Sequence, residues 1–184
     1  MARAARIAAR APPRSPAEIF TLFKHVMSLD SVRKFFAEHA PDIAVLVTEA
    51  SSATVAEAAA AHGVEPAQIA KTLSLRVGDR TFLVVTGGMA RLDNRKVKDT
   101  FGGKASMLEA AEVEAITGHP VGGVCPFGLT EPLPIYCDVS LKAFGEVVPA
   151  AGSRNSALRI TPERMAQLTG AEWVDVCRDA APRE

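Results

Sequence analysis

Several things are scarce in this sequence, and each scarcity closes off a class of protein. There are three cysteines, Cys125, Cys137 and Cys177, an odd number with no C-x-x-C pair. That disfavours a disulfide framework and a zinc site, and it fits a reducing cytoplasm. Four histidines, His25, His39, His62 and His119, are scattered without an H-E-x-x-H or similar ligand spacing. Charge of either sign is not in excess: 21 basic side chains face 21 acidic ones. A chain gripping long duplex nucleic acid by charge would carry a basic surplus, so any such contact must be local. No apolar run approaches the ~20 residues that span a bilayer. No metal, no cofactor and no membrane contact is therefore expected.

What is present is ordinary globular material. Apolar residues make up 48% and charged residues 23% of 184, enough for one domain with a sizeable core. The first segment differs, with Arg3, Arg6, Arg10 and Arg14 preceding the first acid, Glu18. Such a start has the character of a targeting peptide. The favoured expectation is a flexible extension over residues 1–26, or an over-called start with Met27 as the working initiator, ahead of a single domain over 27–180.

From Ser28 the hydrophobic pattern is regular. "SLDSVRKFFAEHA" places Leu29, Val32, Phe35 and Phe36 on one helical stripe, with Ser28 as candidate cap. "IAVLVT" reads as a short strand. "TVAEAAAAHG" carries the capping box Thr54-x-x-Glu57 and the stop Gly63. Pro66 suits the first turn of a short helix, "PAQIAK". Two strands, "TLSLRV" and "TFLVVT", flank Gly78-Asp79-Arg80 as a hairpin. Asp93 and Gly102 bracket one helix, and Ser106 with Glu109 and Gly118 bracket another. Strands follow at "LPIYCDV", around "GEVVPAA" and at "ALRIT". A helix then starts with Thr161 as cap and Pro162 in its first turn, and "EWVDVC" closes the pattern. The interleaving predicts an α/β domain with a mixed, curved, barrel-like sheet wrapped by about five helices.

Three stretches bear on chemistry. In "KTLSLRV", alternation puts Lys71 with Leu73, Leu75 and Val77 on one face, and Thr72, Ser74 and Arg76 on the other. Lys71 is thus either a lysine snorkelling past a core edge or an ammonium at the mouth of a pocket. "HPVGGVCPFGL" packs Gly122, Gly123 and Gly128 around Cys125 and Pro126. Glycine lets backbone amides approach a ligand and proline fixes the loop's direction. The stretch is not a phosphate-binding P-loop and not a G-x-S-x-G nucleophile elbow. Cys125 is either a small buried hydrophobe or a nucleophile with His119 nearby. Gly152-Ser153-Arg154-Asn155 is either a plain turn or a second donor-rich loop. A basic run, including Arg95, Lys96 and Lys98, is either a solvated helix face or a landing patch for RNA phosphates.

In that order, these motifs resemble the YbaK/prolyl-tRNA-synthetase-associated editing domain family over roughly residues 28–177. The resemblance implies a free-standing deacylase that acts in trans on mischarged tRNA carrying a small amino acid, such as tRNA-Pro. An aminoacyl-tRNA synthetase is a possible partner. It places Lys71, Gly123 and Gly128 in catalytic positions, and Gly122, Cys125, Pro126, Gly152, Ser153 and Asn155 in substrate-binding ones. Cys125 stands where the family loop carries a variable or serine-like residue, a departure that bears on the amino acid accepted. The alternative is a non-catalytic module that binds the aminoacyl-adenosine end of tRNA.

Overall fold

The computed structural model describes residues 16–178, with side chains from Ser28 onward. Residues 1–15, most of the segment expected to be flexible, lie outside the described residues. From Pro16 the backbone is helical: α1 runs Pro16–His39, so Ser28 lies inside the helix and does not cap it. A proline is well tolerated in the first turn, where its missing N–H would be unpaired anyway.

The remaining helices sit where local signals place them. α2 (Val55–His62) has both halves of the Thr54–Glu57 capping box and ends on Gly63 at φ +63°. α3 (Asn94–Phe101) starts on the Asp93 carboxylate, which accepts from the amides of Arg95 and Lys96. α4 spans Ala110–Thr117 and α5 spans Pro162–Thr169, the latter capped by Thr161. Two expectations shift. The helix predicted after Pro66 is a single 3-10 turn, Pro66–Gln68, because the strand already begins at Ile69. Ser106 does not open α4. It belongs to the short strand β5 (Ser106–Met107), paired with Arg76, and Glu109 precedes the helix.

The central sheet is built on the hairpin β2 (Ile69–Val77) and β3 (Arg80–Gly87), in register from Ala70↔Gly87 to Val77↔Arg80. β6 (Ile135–Asp138) lies parallel to β3, and β9 (Glu172–Val174) parallel to β6. The free edge of β2 is shared by antiparallel β5 and parallel β7 (Val148–Pro149). The sheet is mixed as expected, but open rather than barrel-like: β9 and the β5/β7 edge are not paired to each other. Two short pairs form separate two-stranded sheets: β1 (Leu46–Val47) with β8 (Ser156–Ala157), and β4 (Arg91–Leu92) with β10 (Cys177–Arg178).

Both sheet faces are covered. Val85 packs with Val32, Phe36, Phe127, Leu158 and Met165 on the α1/α5 side. Val84, Leu75 and Val77 pack with Val97 and Phe101 on the α3 side. Adjacent residues of β3 thus enter opposite cores, as a period of two requires.

Candidate functional site: a cavity between the central hairpin and a glycine loop

A cavity of about 230 Å³ opens beside β2. Strand β2 supplies Ala70, Lys71, Thr72 and Ser74 to its wall, and the segment entering α2 supplies Ser52, Ala53, Thr54 and Val55. Gly122 and Val124 close it from the glycine loop, while Val148, Ala150, Ser156 and Ala157 form the far wall. Met107 and Val121 also border it, and both are about half exposed.

Glycine is required where the loop meets its neighbours. Gly122 has φ +91°, and a Cβ there would lie 2.9 Å from the Ala53 Cβ; at Gly123 it would lie 2.8 Å from the Ser153 backbone. The Gly152 amide donates to the Gly123 carbonyl at 3.1 Å, joining the two glycine-bearing loops. Gly128, at φ +59°, lies against α1, where a Cβ would come 2.7 Å from the Ser31 carbonyl carbon.

His119 sits beneath this junction, wholly buried. Its Nε2 faces the Phe127 carbonyl at 2.8 Å, and a carbonyl only accepts, so Nε2 carries the proton in the neutral ring. Nδ1 is then an acceptor for Ser28 Oγ at 2.6 Å, and the same hydroxyl lies 2.5 Å from the Gly152 carbonyl. One hydroxyl proton is shared between two acceptors, tying α1 to both loops. Burial lowers the proton affinity of His119, and the Phe127 carbonyl offsets part of that.

The residues singled out from sequence distribute unevenly. Lys71 and Gly122 border the cavity. The Lys71 ammonium donates to the carbonyls of Gly88 (3.1 Å) and Ala90 (2.5 Å), so two of its three protons have acceptors. Burial pushes its pKa down, partly countered by Cys177, with Arg91 pushing the same way as burial. Gly123, Cys125, Pro126, Gly128, Gly152, Ser153 and Asn155 lie outside the cavity wall. The Gly123 amide already donates to the Pro120 carbonyl at 2.8 Å. Cys125 is wholly buried, and burial pushes its thiol up to about 12, which keeps it protonated and unsuited to nucleophilic attack. Ser153 and Asn155 spend their side chains on the loop itself. Ser153 Oγ bonds Asn155 Oδ1 and Ser156 Oγ, and Asn155 Nδ2 donates to the Thr48 carbonyl. On α3, Lys96 is held by Asp175 and the Cys177 carbonyl, whereas Arg95 and Lys98 are exposed.

Residues 49–168 match the model of a family described as "Aminoacyl-tRNA editing domain". This chain belongs to that family. The matched span carries all the cavity residues named above. Among relatives of this editing domain, the "Uncharacterized protein YwhH" of Bacillus subtilis is 49% identical over 155 residues, covering 83% of this chain and 99% of that protein. The "Putative Cys-tRNA(Pro)/Cys-tRNA(Cys) deacylase EbsC" of Enterococcus faecalis is 30% identical, covering 62% of this chain and 71% of its own length. A crystal structure described as "a putative trans-editing enzyme for prolyl tRNA synthetase" superposes with a TM-score of 0.76 at 34% identity, covering 82% of this chain and 97% of that one.

The cavity is also bordered by residues that sequence reasoning assigned to no site: 52–55, Thr72, Ser74 and Val124. For Thr72 and Ser74 a signal existed, since both share one face of β2, but alternation does not say which face of a doubly covered strand meets a cavity. Among the described residues no helix is long and apolar enough to cross a membrane.

Proposed function

We propose that this chain hydrolyses the ester joining a small, wrongly attached amino acid to the 3′ end of a tRNA, acting in trans. The observation that carries this reading is that one cavity brings Lys71 together with the Gly122–Val124 loop. The amides of Gly122 and Val124 have no backbone acceptor among the described residues. These two donors, rather than those of Gly123 and Gly128, are the proposed receivers of the oxyanion. One donor of this kind is worth about 3 kcal/mol in the transition state.

An aminoacyl ester is already activated, so a positioned water suffices as nucleophile. Water oxygen bonds to the acyl carbon, the acyl–ribose bond breaks, and the ribose oxygen leaves with a proton. The neighbouring ribose hydroxyl assists proton transfer, which accounts for a site without paired carboxylates. The remaining Lys71 proton is directed to the ester or the terminal nucleotide. A volume of about 230 Å³ falls below the ~300–1,000 Å³ of pockets for drug-sized ligands. It suits a small aminoacyl group whose nucleotide stays at the mouth, near Met107 and Val121. Arg95, Lys96 and Lys98 form the proposed phosphate-landing patch, with Lys96 already partly neutralised by Asp175.

The test is a deacylation screen over tRNAs charged with alanine, serine, threonine, cysteine and 2-aminobutyrate. At least one ester is expected to be cleaved, with Lys71→Ala, still folded, slower by about 100-fold or more. Saturable binding of the charged tRNA end without turnover would replace this reading with the non-catalytic module. Wild-type turnover by folded Lys71→Ala would remove the lysine from the mechanism.

A further inference from the structure

The two main-chain donors proposed for the oxyanion, the amides of Gly122 and Val124, are each one half of a peptide unit. Among the described residues no peptide bond is cis, and in a trans unit the carbonyl and the N–H point in opposite directions. Whatever holds the carbonyl therefore aims the amide. The Val121 carbonyl, in one unit with the Gly122 N–H, accepts from Arg154 Nε at 3.0 Å. The Gly123 carbonyl, in one unit with the Val124 N–H, accepts from the Gly152 amide at 3.1 Å. Between them, the Gly123 N–H turns back to the Pro120 carbonyl at 2.8 Å. Both proposed donors thus belong to units gripped from behind by one segment, 152–154.

We infer that Arg154 is a positioning residue for the reaction: acting through the Val121–Gly122 peptide, its guanidinium aims the Gly122 N–H at the oxyanion. The inference rests on the deacylase reading above. The Arg154 main chain is itself fixed, since its carbonyl accepts from the amide of Ser52 at 2.6 Å and from Ser52 Oγ at 3.1 Å. The side chain is exposed, and among the described residues it has no carboxylate at ion-pair distance. Its charge therefore reaches the Val121 carbonyl without a neutralising partner. An ionised donor makes a hydrogen bond about twice as strong as a neutral one. It also polarises the peptide it binds, which strengthens the N–H at the other end as a donor.

The other use of an exposed arginine beside such a cavity is to grip an RNA phosphate. Commitment of Nε to Val121 argues against it, because the side-on fork that suits a phosphate needs that nitrogen. Kinetics separate the two uses. A phosphate contact acts on binding and is weakened by salt. An amide aimed at the oxyanion acts in the transition state alone, so its loss lowers kcat and kcat/KM together.

The experiment measures kcat and KM of wild type, Arg154→Met and Arg154→Lys on one charged tRNA that the wild type cleaves, at about 50 and about 200 mM salt. Methionine keeps most of the side chain's length without charge or donor. Val121 is about half exposed, so Arg154→Met strands no buried residue and is expected to fold. Its kcat is expected to fall about tenfold or more, with KM within about twofold of wild type and the same loss at both salt concentrations. Arg154→Lys, which keeps a charged donor, is expected to recover most of the loss. A loss carried by KM that shrinks as salt rises would make Arg154 a phosphate contact, overturning the inference while leaving the deacylase reading standing. Wild-type kcat in Arg154→Met would do the same, and so would Arg154→Lys no faster than Arg154→Met. Failure of the wild type to cleave any ester in the screen above would overturn both together.

Discussion

The two sides of the cavity differ in how completely their polar groups are matched. Beneath the glycine loop, Ser28, His119, Gly123, Gly152 and Ser153 are joined by side-chain and backbone hydrogen bonds and by close packing, with glycine where a Cβ would collide. On the β2 side, the Thr72 and Ser74 hydroxyl oxygens are buried without partners, and Lys71 has acceptors for two of its three protons, among the described residues. Buried polar groups fix a unique arrangement when satisfied and cost stability when not. The junction beneath the loop is therefore scaffold, held by the fold alone, whereas the β2 wall and the Gly122 and Val124 amides keep polar groups without partners among the described residues.

The sharpest way to break that contrast is through the glycines. Gly128→Ala combines a left-handed backbone with a Cβ 2.7 Å from the α1 backbone. The conformation costs about 1–2 kcal/mol and the forced displacement about 1–3, so about 2–5 together. Gly63 has nearly the same φ but open space around it, so Gly63→Ala is expected to lose only about 1–2 kcal/mol. Urea unfolding of the two variants measures the difference. Equal losses would mean that α1 does not clamp the loop.

A smaller effect tests the hydrogen bonds beneath the loop. Ser28→Ala removes the hydroxyl shared by His119 and Gly152, with an expected loss of about 1–3 kcal/mol. Acid probes the same place without mutation. Because burial lowers the proton affinity of His119 in the folded chain, the unfolded chain takes up that proton first as pH falls. Stability is then level above the ordinary histidine pKa of about 6.5 and declines below it. His62 shifts in the same direction, through burial and then Arg159, and adds to the slope. Urea midpoints at neutral and mildly acid pH are expected to fall together, and His119→Gln to flatten the decline. An unchanged slope in His119→Gln would assign the acid sensitivity elsewhere.

Legibility from sequence follows the reach of each signal. The capping box at Thr54 and Glu57, the Asp93 cap and the stops at Gly63 and Gly102 act within a few residues, and the structure has them all. Ser106-x-x-Glu109 has the same local form, yet pairing with Arg76 draws Ser106 into a strand. Ser28 fails as a cap for a similar reason: the helix continues back to Pro16, and the serine's partners lie in loops 91 and 124 residues away in sequence. Of the residues that motifs single out, Lys71 and Gly122 border the cavity. Ser153 and Asn155 have side chains suited to binding, but their hydrogen bonds go to Ser156 and to Thr48 across the fold. Nothing in the turn itself foretells that.

The smallest expected effect on stability is also the most discriminating. Ser28 and Ser74 are almost equally buried, at 4% and 3% exposed, and the same substitution should act on them in opposite directions. Ser28→Ala strands the His119 nitrogen or the Gly152 carbonyl. Ser74→Ala strands nothing among the described residues, where its hydroxyl has no partner. Removing an unsatisfied buried hydroxyl relieves a desolvation penalty, so Ser74→Ala is expected to leave stability unchanged or raise it by up to about 1 kcal/mol. A gain in stability would show a hydroxyl retained at the fold's expense. A loss of more than about 1 kcal/mol would mean that Ser74 has a partner in the folded chain, and the division between scaffold and binding wall would then fail at the residue on which it most depends.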